Sequence, residues 1–475
     1  MIRAARLAVP PADVPIIALG MALTAFFAFA ASTVGSTLSL GLITGIAVFF
    51  GLIAAFITFP HVAVAGMIPL FVLLPTIKVL LFPAAGPLKD FVTVAAICAA
   101  AVIVIQRSGQ GQPQRGDVWM ATCVAVLATV YIVNVGGLEW DVAWAHGVRL
   151  ALMPVALLLV GLTLGQPART MHWAMVSLVA TATVVALYGI AQQGLGMWRL
   201  YGYGYVFDYH LRTFHGHLRS FGTLDDPFAY AAFLLLGFAA LILWFRFGAV
   251  SLGVGTVILT GLAFSYVRTA LIVLLALLAL WLARKSYTAM SIFLLGAATA
   301  IACVVLIVSS NTTESRTVRT GNSTFLTING RTESWRIFLG SPDVWALGHG
   351  VGEVGTAAER ATYTISQDPK DASEQRAVDS GYFAVIADVG IIGLIALLAI
   401  LGRAIATANT YARAGSRAAW LALAFVTVEM IDAVTRASFT GFPTAFLAML
   451  LTGVALAAAT DGGRAVPEPL RRAPA

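Results

Sequence analysis

Charged residues are scarce in this sequence. Only 11% of its 475 residues are Asp, Glu, Lys or Arg, against 59% hydrophobic, and the mean hydropathy is +0.89. Soluble domains carry about 25% charged residues. The scarcity therefore argues against soluble domains and for one polytopic membrane domain over residues 1–475. Cysteine is scarcer still. Cys98, Cys123 and Cys303 each sit inside an apolar run without metal-ligand spacing, which leaves them as small core residues. No internal repeat or low-complexity tract stands out. The net charge of +7 does not imply nucleic acid, because basic residues that flank spans serve to orient a chain in the bilayer.

What the sequence has in abundance is apolar runs of spanning length. A span needs about 20 apolar residues. By that measure about fourteen spans are expected, near 14–31, 38–58, 62–82, 89–105, 118–135, 148–165, 172–194, 227–245, 249–265, 268–283, 288–308, 381–402, 417–435 and 441–460. The start MIRAAR, Pro10, Pro11 and Pro15 before an apolar run imitates a signal peptide. The topology needs that run as a retained first span. With the N-terminus cytoplasmic, Arg3, Arg6, Arg107, Arg115, Arg169, Arg246, Arg284, Lys285, Arg403, Arg413, Arg417, Arg464, Arg471 and Arg472 fall on the cytoplasmic side. The short outer loops near 32–37, 83–88 and 136–147 hold almost none. An even number of spans returns the C-terminus to the cytoplasm.

The remaining basic residues cluster on the outer side, in two loops at 195–226 and 309–380. The second holds Arg316, Arg319, Arg331, Arg336, Arg360, Lys370 and Arg376. Either these charges are tolerated in long loops, or they bind an anion at the outer face, a task for which the planar fork of arginine is suited. The first loop joins Arg199, Arg212 and Arg219 to Trp198, Tyr201, Tyr203, Tyr205, Tyr209 and Phe214. Such aromatics anchor a protein at the interface or stack on sugar rings, and the two roles are compatible. His210, His215 and His217 lack the spacing of a metal site.

Charges inside spans need partners. Glu429, Asp432 and Arg436 lie three and four apart and read as an internal ion-pair cluster. Lys78 is placed to snorkel to an outer end. Asp388, inside a span, is expected to pair with an arginine. Arg268 follows the short outer turn of FSYVRTALIVLL, so it projects from a rigid helix towards the outer face.

Four stretches in order resemble the O-antigen ligase and polymerase family, membrane glycosyltransferases that use polyprenyl-diphosphate-linked sugars. SYVRTA resembles the family's Ser-x-Arg segment at the start of an outer-facing helix. RSFGTLDDPFAYAAF resembles its Arg-x-x-Gly-x-x-x-x-Pro segment. GRTESWRIFLGSPDVWALGHGVGEVG resembles its Arg-then-Trp segment running into a Gly-rich turn. DSGYFAVIADVGIIGL resembles its His-Asn-x-Tyr segment leading to Gly-x-x-Gly. The match covers roughly 215–400. It implies an all-α, GT-C-like polytopic fold in a bacterial inner membrane, with both termini cytoplasmic and the active site facing the periplasm. It places the family's helix arginine on Arg268, its loop arginine on Arg331 and its histidine on Asp379, which precedes Gly390 by the family's His-x10-Gly spacing. No histidine stands there. Asp379-Ser380 resembles the Asp-Asn-type variant of some exopolysaccharide polymerases, which favours a polymerase over a ligase.

Glycosyl transfer from a lipid diphosphate needs the leaving group stabilised and an acceptor hydroxyl positioned. Arg268 and Arg331 suit the first task as electrostatic clamps. Arg219, Arg336, Arg212 and Tyr382 are expected to bind substrate. Asp379 at the mouth of a span is the candidate general base, and His349 in LGHGVGEVG is its rival. Asp379 also reads as a helix N-cap. No Asp-x-Asp metal motif appears, so no metal or other cofactor is expected. The expected partners are a polyprenyl-diphosphate-linked glycan donor and acceptor, membrane lipid and a polysaccharide co-polymerase, with no nucleic acid. An O-antigen ligase acting on lipid A core is the second reading. A transporter is the third, which predicts broken helices and midplane charges in paired halves.

Overall fold

The computed structural model describes residues 36–82, 85–110, 118–134, 142–205, 213–214, 217–246, 248–296, 342–352 and 380–464. The expected span at 14–31, most of the 309–380 loop, Arg212, Arg331, Arg336, Asp379 and Cys303 lie outside them. The described residues of every later expected span fall on a helix, the span at 288–308 being described only to residue 296. In order these are α1 (Ser36–Thr58), α2 (Pro60–Leu80), α3 (Leu88–Gly109), α4 (Val118–Val133), α5 (Val142–Thr163) and α6 (Pro167–Gly202). After a two-residue ladder of β1 (Thr213–Phe214) and β2 (His217–Leu218) come α7 (Pro227–Trp244), α8 (Ala249–Ala263), α9 (Arg268–Lys285) and the short α10 (Tyr287–Gly296). The six-residue α11 (Pro342–Leu347), α12 (Gly381–Arg413), α13 (Arg417–Thr435) and α14 (Thr444–Arg464) complete the described chain. Among the described residues, eight helices are long and apolar enough to cross a membrane.

A helix that is apolar on every side must be surrounded by other helices. In α7 this is so from Pro227 to Leu243, with α6, α8, α9, α13 and α14 packed around it. The other inner helix, α14, lies closest to α5, where Gly161 faces Gly453. A Cβ at Gly453 would stand 3.0 Å from the Gly161 Cα. Small residues let backbones approach in this way when no hydrophobic drive exists between helices in lipid.

The helices alternate in direction, which sorts the polar residues into two ends. The upper end carries Asp90, Arg149, Asp226, Arg268, Ser380 and Arg436. The lower end carries Arg246, Arg284, Lys285 and Arg417. At the upper end Arg149 Nη1 lies 2.9 Å from Asp90 Oδ2, and Lys89 Nζ sits 4.4 Å over the Phe442 ring. Lys78 is exposed in the last turn of α2, where a snorkelling lysine belongs.

Candidate functional site at the upper end

Two irregular segments meet above α7 and α9. Residues 219–226 do not cross open solvent. Ser220, Phe221, Gly222, Thr223 and Leu224 are all buried. Irregular backbone at membrane depth survives only where protein satisfies it, and here Gln192 of α6 does so. Its Oε1 accepts from the Phe221 and Gly222 amides at 3.1 and 2.9 Å, and its Nε2 donates to Gly222 O at 2.8 Å. Ser220 Oγ donates to Gly189 O, and Thr223 Oγ1 to Val72 O. Gly222 has φ +56°, and a Cβ there would meet the Tyr230 ring at 2.7 Å, so glycine is required twice over. The second segment is the turn 264–267. Its Phe264 O accepts from the Ser220 amide at 2.8 Å, and its Ser265 O from Arg219 Nε at 3.2 Å. Arg219 is buried, with its guanidinium carbon 4.7 Å from the Phe228 ring centroid. The turn delivers Arg268 as the first, exposed residue of α9.

A half-buried ion network ties the neighbouring helices together. Arg436 Nη2 is 2.9 Å from Asp432 Oδ2 and its Nη1 is 3.5 Å from Asp226 Oδ1. Asp226 also caps α7, accepting from the Ala229 amide at 2.7 Å ahead of Pro227. Burial pulls the Arg436 guanidinium down, but Asp432, Asp226 and Glu429 outweigh it and hold the group above its ordinary value. Asp432 reaches the start of α9 as well, where it lines a small void with Val267, Thr269 and Ala270. The start of α12 completes the cluster. Ser380 Oγ donates to Ala433 O at 3.2 Å, and a Cβ on Gly381 would stand 3.3 Å from Arg436 O. Tyr382 donates to Met430 O at 2.9 Å and sets its ring edge-on to Phe439.

Lower on α12 the helix breaks at Gly390, with φ +69° and ψ −170°. The turn after α11 is docked on the break. The His349 amide donates to Ala387 O at 2.6 Å. Asn134 Nδ2 donates to Asp388 O at 2.8 Å and to Leu347 O at 2.7 Å. The Asp388 carboxyl is buried against the 348–352 turn, and among the described residues no arginine pairs with it. Eight residues of chain separate Ser380 from Asp388, about 10–12 Å at 1.5 Å per helical residue. His349 thus belongs to a layer deeper than the start of α12.

Residues 253–398 match the family model described as O-antigen ligase. Over that stretch the chain is similar to O-antigen ligases. The match takes in most of α8, all of α9, α10 and α11, and the first half of α12, under half of the chain. No curated protein matches the chain. The match supports glycosyl transfer of the ligase or polymerase type on lipid-linked glycans within a membrane.

Within the matched stretch lie Arg268, Arg331, Arg336, His349, Asp379 and Tyr382, while Arg212 and Arg219 precede it. Of these, Arg268 and Tyr382 stand at the rim of the upper cluster, and Arg219 underlies it. Asp379 is outside the described residues, but the capping position of α12 is Ser380, one residue on from the expected cap. The expected ion-pair cluster is present in Arg436 and Asp432. Asp226 joins it unforeseen, although the Asp-Pro start of α7 was its signal. The Asp90–Arg149 pair was also missed; two opposite charges near the outer ends of spans were the available hint. Trp198, Tyr201 and Tyr203 are exposed at the end of α6, whereas Tyr205 is buried with Leu200, Leu218 and Phe221. His217 stacks on Tyr266, and no His, Cys, Asp or Glu group of metal-binding kind occurs among the described residues.

Proposed function

We propose that the chain polymerises polyprenyl-diphosphate-linked oligosaccharide repeat units at the upper end, which faces the periplasm, with both termini cytoplasmic. The observation that carries this reading is the convergence at the upper end. The exposed Arg268 leads α9, the start of α12 is fixed by Ser380 beside Arg436, and the arginine-rich 309–380 segment joins the two halves of the matched stretch. In the reaction, the acceptor hydroxyl oxygen bonds to the anomeric carbon as that carbon's bond to the diphosphate oxygen breaks. Arg268 and Arg331 hold the departing diphosphate, whose charge grows as it leaves. Asp379, bonded to Ser380, takes the hydroxyl proton. Arg336 and Arg212 assist substrate binding. Arg219 is a positioning residue, because its Nε serves the turn before Arg268. Arg436 is answered by Asp226 and Asp432, so its charge serves the fold. A polymerase is preferred to a ligase because Asp379 stands where the family's histidine is expected. The break at Gly390 fits a transporter less well, since the 348–352 turn fills it. The test is Arg268→Ala in membranes. Polymer should fall about 10²–10³-fold at unchanged protein level, and Arg268→Lys should restore little, lacking the fork. Normal polymer from the Ala variant contradicts the assignment.

A further inference from the structure

At the lower end, far from the proposed site, four cations share one cavity. Arg246 follows α7, Arg284 and Lys285 close α9, and Arg417 opens α13. Together with Ile242, Phe245 and Trp281 they line an open cavity of about 370 Å³ that has no carboxylate in its wall among the described residues. Arg284 is anchored, with its Nη1 donating to Leu243 O at 2.6 Å, and Lys285 Nζ lies 4.0 Å over the Trp281 ring. Arg246 and Arg417 are exposed. A cation at the first residue of α13 opposes the helix dipole, and clustered like charges repel. Such an arrangement is stable when an anion occupies it.

A second cavity, of about 230 Å³, adjoins the first. It is an apolar groove between α7, α8 and α9, lined by Phe238, Leu241, Leu252, Gly255 and Leu278. Ile242 and Trp281 line both cavities, so the basic pocket opens into the groove. The absence of a side chain at Gly255 keeps the groove open on the α8 side. A basic pocket continuous with an apolar groove on a membrane helix bundle has the chemistry to hold a phospholipid.

We infer that this is a seat for an anionic glycerophospholipid, with its phosphate among Arg246, Arg284, Lys285 and Arg417 and an acyl chain in the α7–α8–α9 groove. Charge complementarity favours an anionic headgroup over a zwitterionic one. In the proposed orientation the seat faces the cytoplasmic leaflet, and the inference does not depend on the reaction at the upper end. The full chain in nanodiscs of phosphatidylcholine should melt at a higher temperature when phosphatidylglycerol is added, and native mass spectrometry should show phosphatidylglycerol retained. The double variant Lys285→Gln/Arg417→Gln should bind phosphatidylglycerol about tenfold more weakly or worse, with its melting in pure phosphatidylcholine unchanged. Gly255→Leu, which fills the groove and leaves the charges, should weaken the lipid equally. Wild-type affinity in Gly255→Leu, or in a double variant that melts normally in phosphatidylcholine, overturns the proposal. So does a shift of the same size with inorganic phosphate alone, which would make this a free-anion site, or with added phosphatidylcholine.

Discussion

Asp379 is the residue on which the mechanism turns. The capping position of α12 belongs to Ser380, whose hydroxyl is spent on Ala433 O and makes no cap bond. A cap at Asp379 would be worth about 1 kcal/mol and would survive replacement by Asn. A base would not, since Asn keeps the size of Asp and loses the proton acceptor. Asp379→Asn and Asp379→Ala should therefore both abolish polymer while melting like the parent, and Asp379→His should recover part of the activity. An active Asn variant with a destabilised Ala variant would return Asp379 to a structural role. Among the other residues, Arg268 was legible because a short turn before an apolar run puts its first residue at the helix start. The neutralisation of Arg436 was legible only in part. The i to i+4 spacing gave Asp432, but Asp226 is more than 200 residues away in sequence and no local pattern pairs them.

At the scale of elements, apolar length fixed the helices well, as at 227–245, where the observed helix is Pro227–Trp244 with Asp226 as its cap. The sequence was less informative where polar residues are buried. Arg219, Ser220 and Thr223 read as loop, yet Gln192, itself buried, holds their segment inside the bundle. The helix α6 also continues past a kink at Gly196 to Gly202, through residues read as the start of a loop. The break at Gly390 was not visible, because the residues on both sides of it keep a spanning run of hydropathy, whereas Gly196 falls just past the apolar run of its span. The break at Gly390 has a testable cost. Its backbone conformation is all but restricted to glycine, and a Cβ there would stand 2.7 Å from Ala346 C and 2.9 Å from Leu347 N. Gly390→Ala should cost about 2–3 kcal/mol or more. It should also raise protease sensitivity around 348–352, as the His349 and Asn134 bonds to α12 are pulled apart. Unchanged melting and cleavage would mean that the break is not a fixed feature.

Over the whole molecule, opposite ends carry different polar chemistry. The upper end pairs its charges, as in Asp90–Arg149 and Asp226–Arg436–Asp432, and exposes Arg268 at its rim. The lower end gathers Arg246, Arg284, Lys285 and Arg417, with no carboxylate among the described residues that line their cavity. That asymmetry agrees with a lower end in the cytoplasm. A reporter fused after Gly340 should accordingly show periplasmic activity, and cytoplasmic activity there would reverse the proposed orientation. The central claim is that the chain joins lipid-linked repeat units to one another, and its most direct measurement is reconstitution. Purified protein in liposomes, given polyprenyl-diphosphate-linked repeat units as both donor and acceptor, should yield a ladder of products spaced by one repeat unit, and the Arg268→Ala protein should yield about 10²–10³-fold less. Single addition that requires a lipid A core acceptor, with no ladder in its absence, would contradict the account and make the protein a ligase.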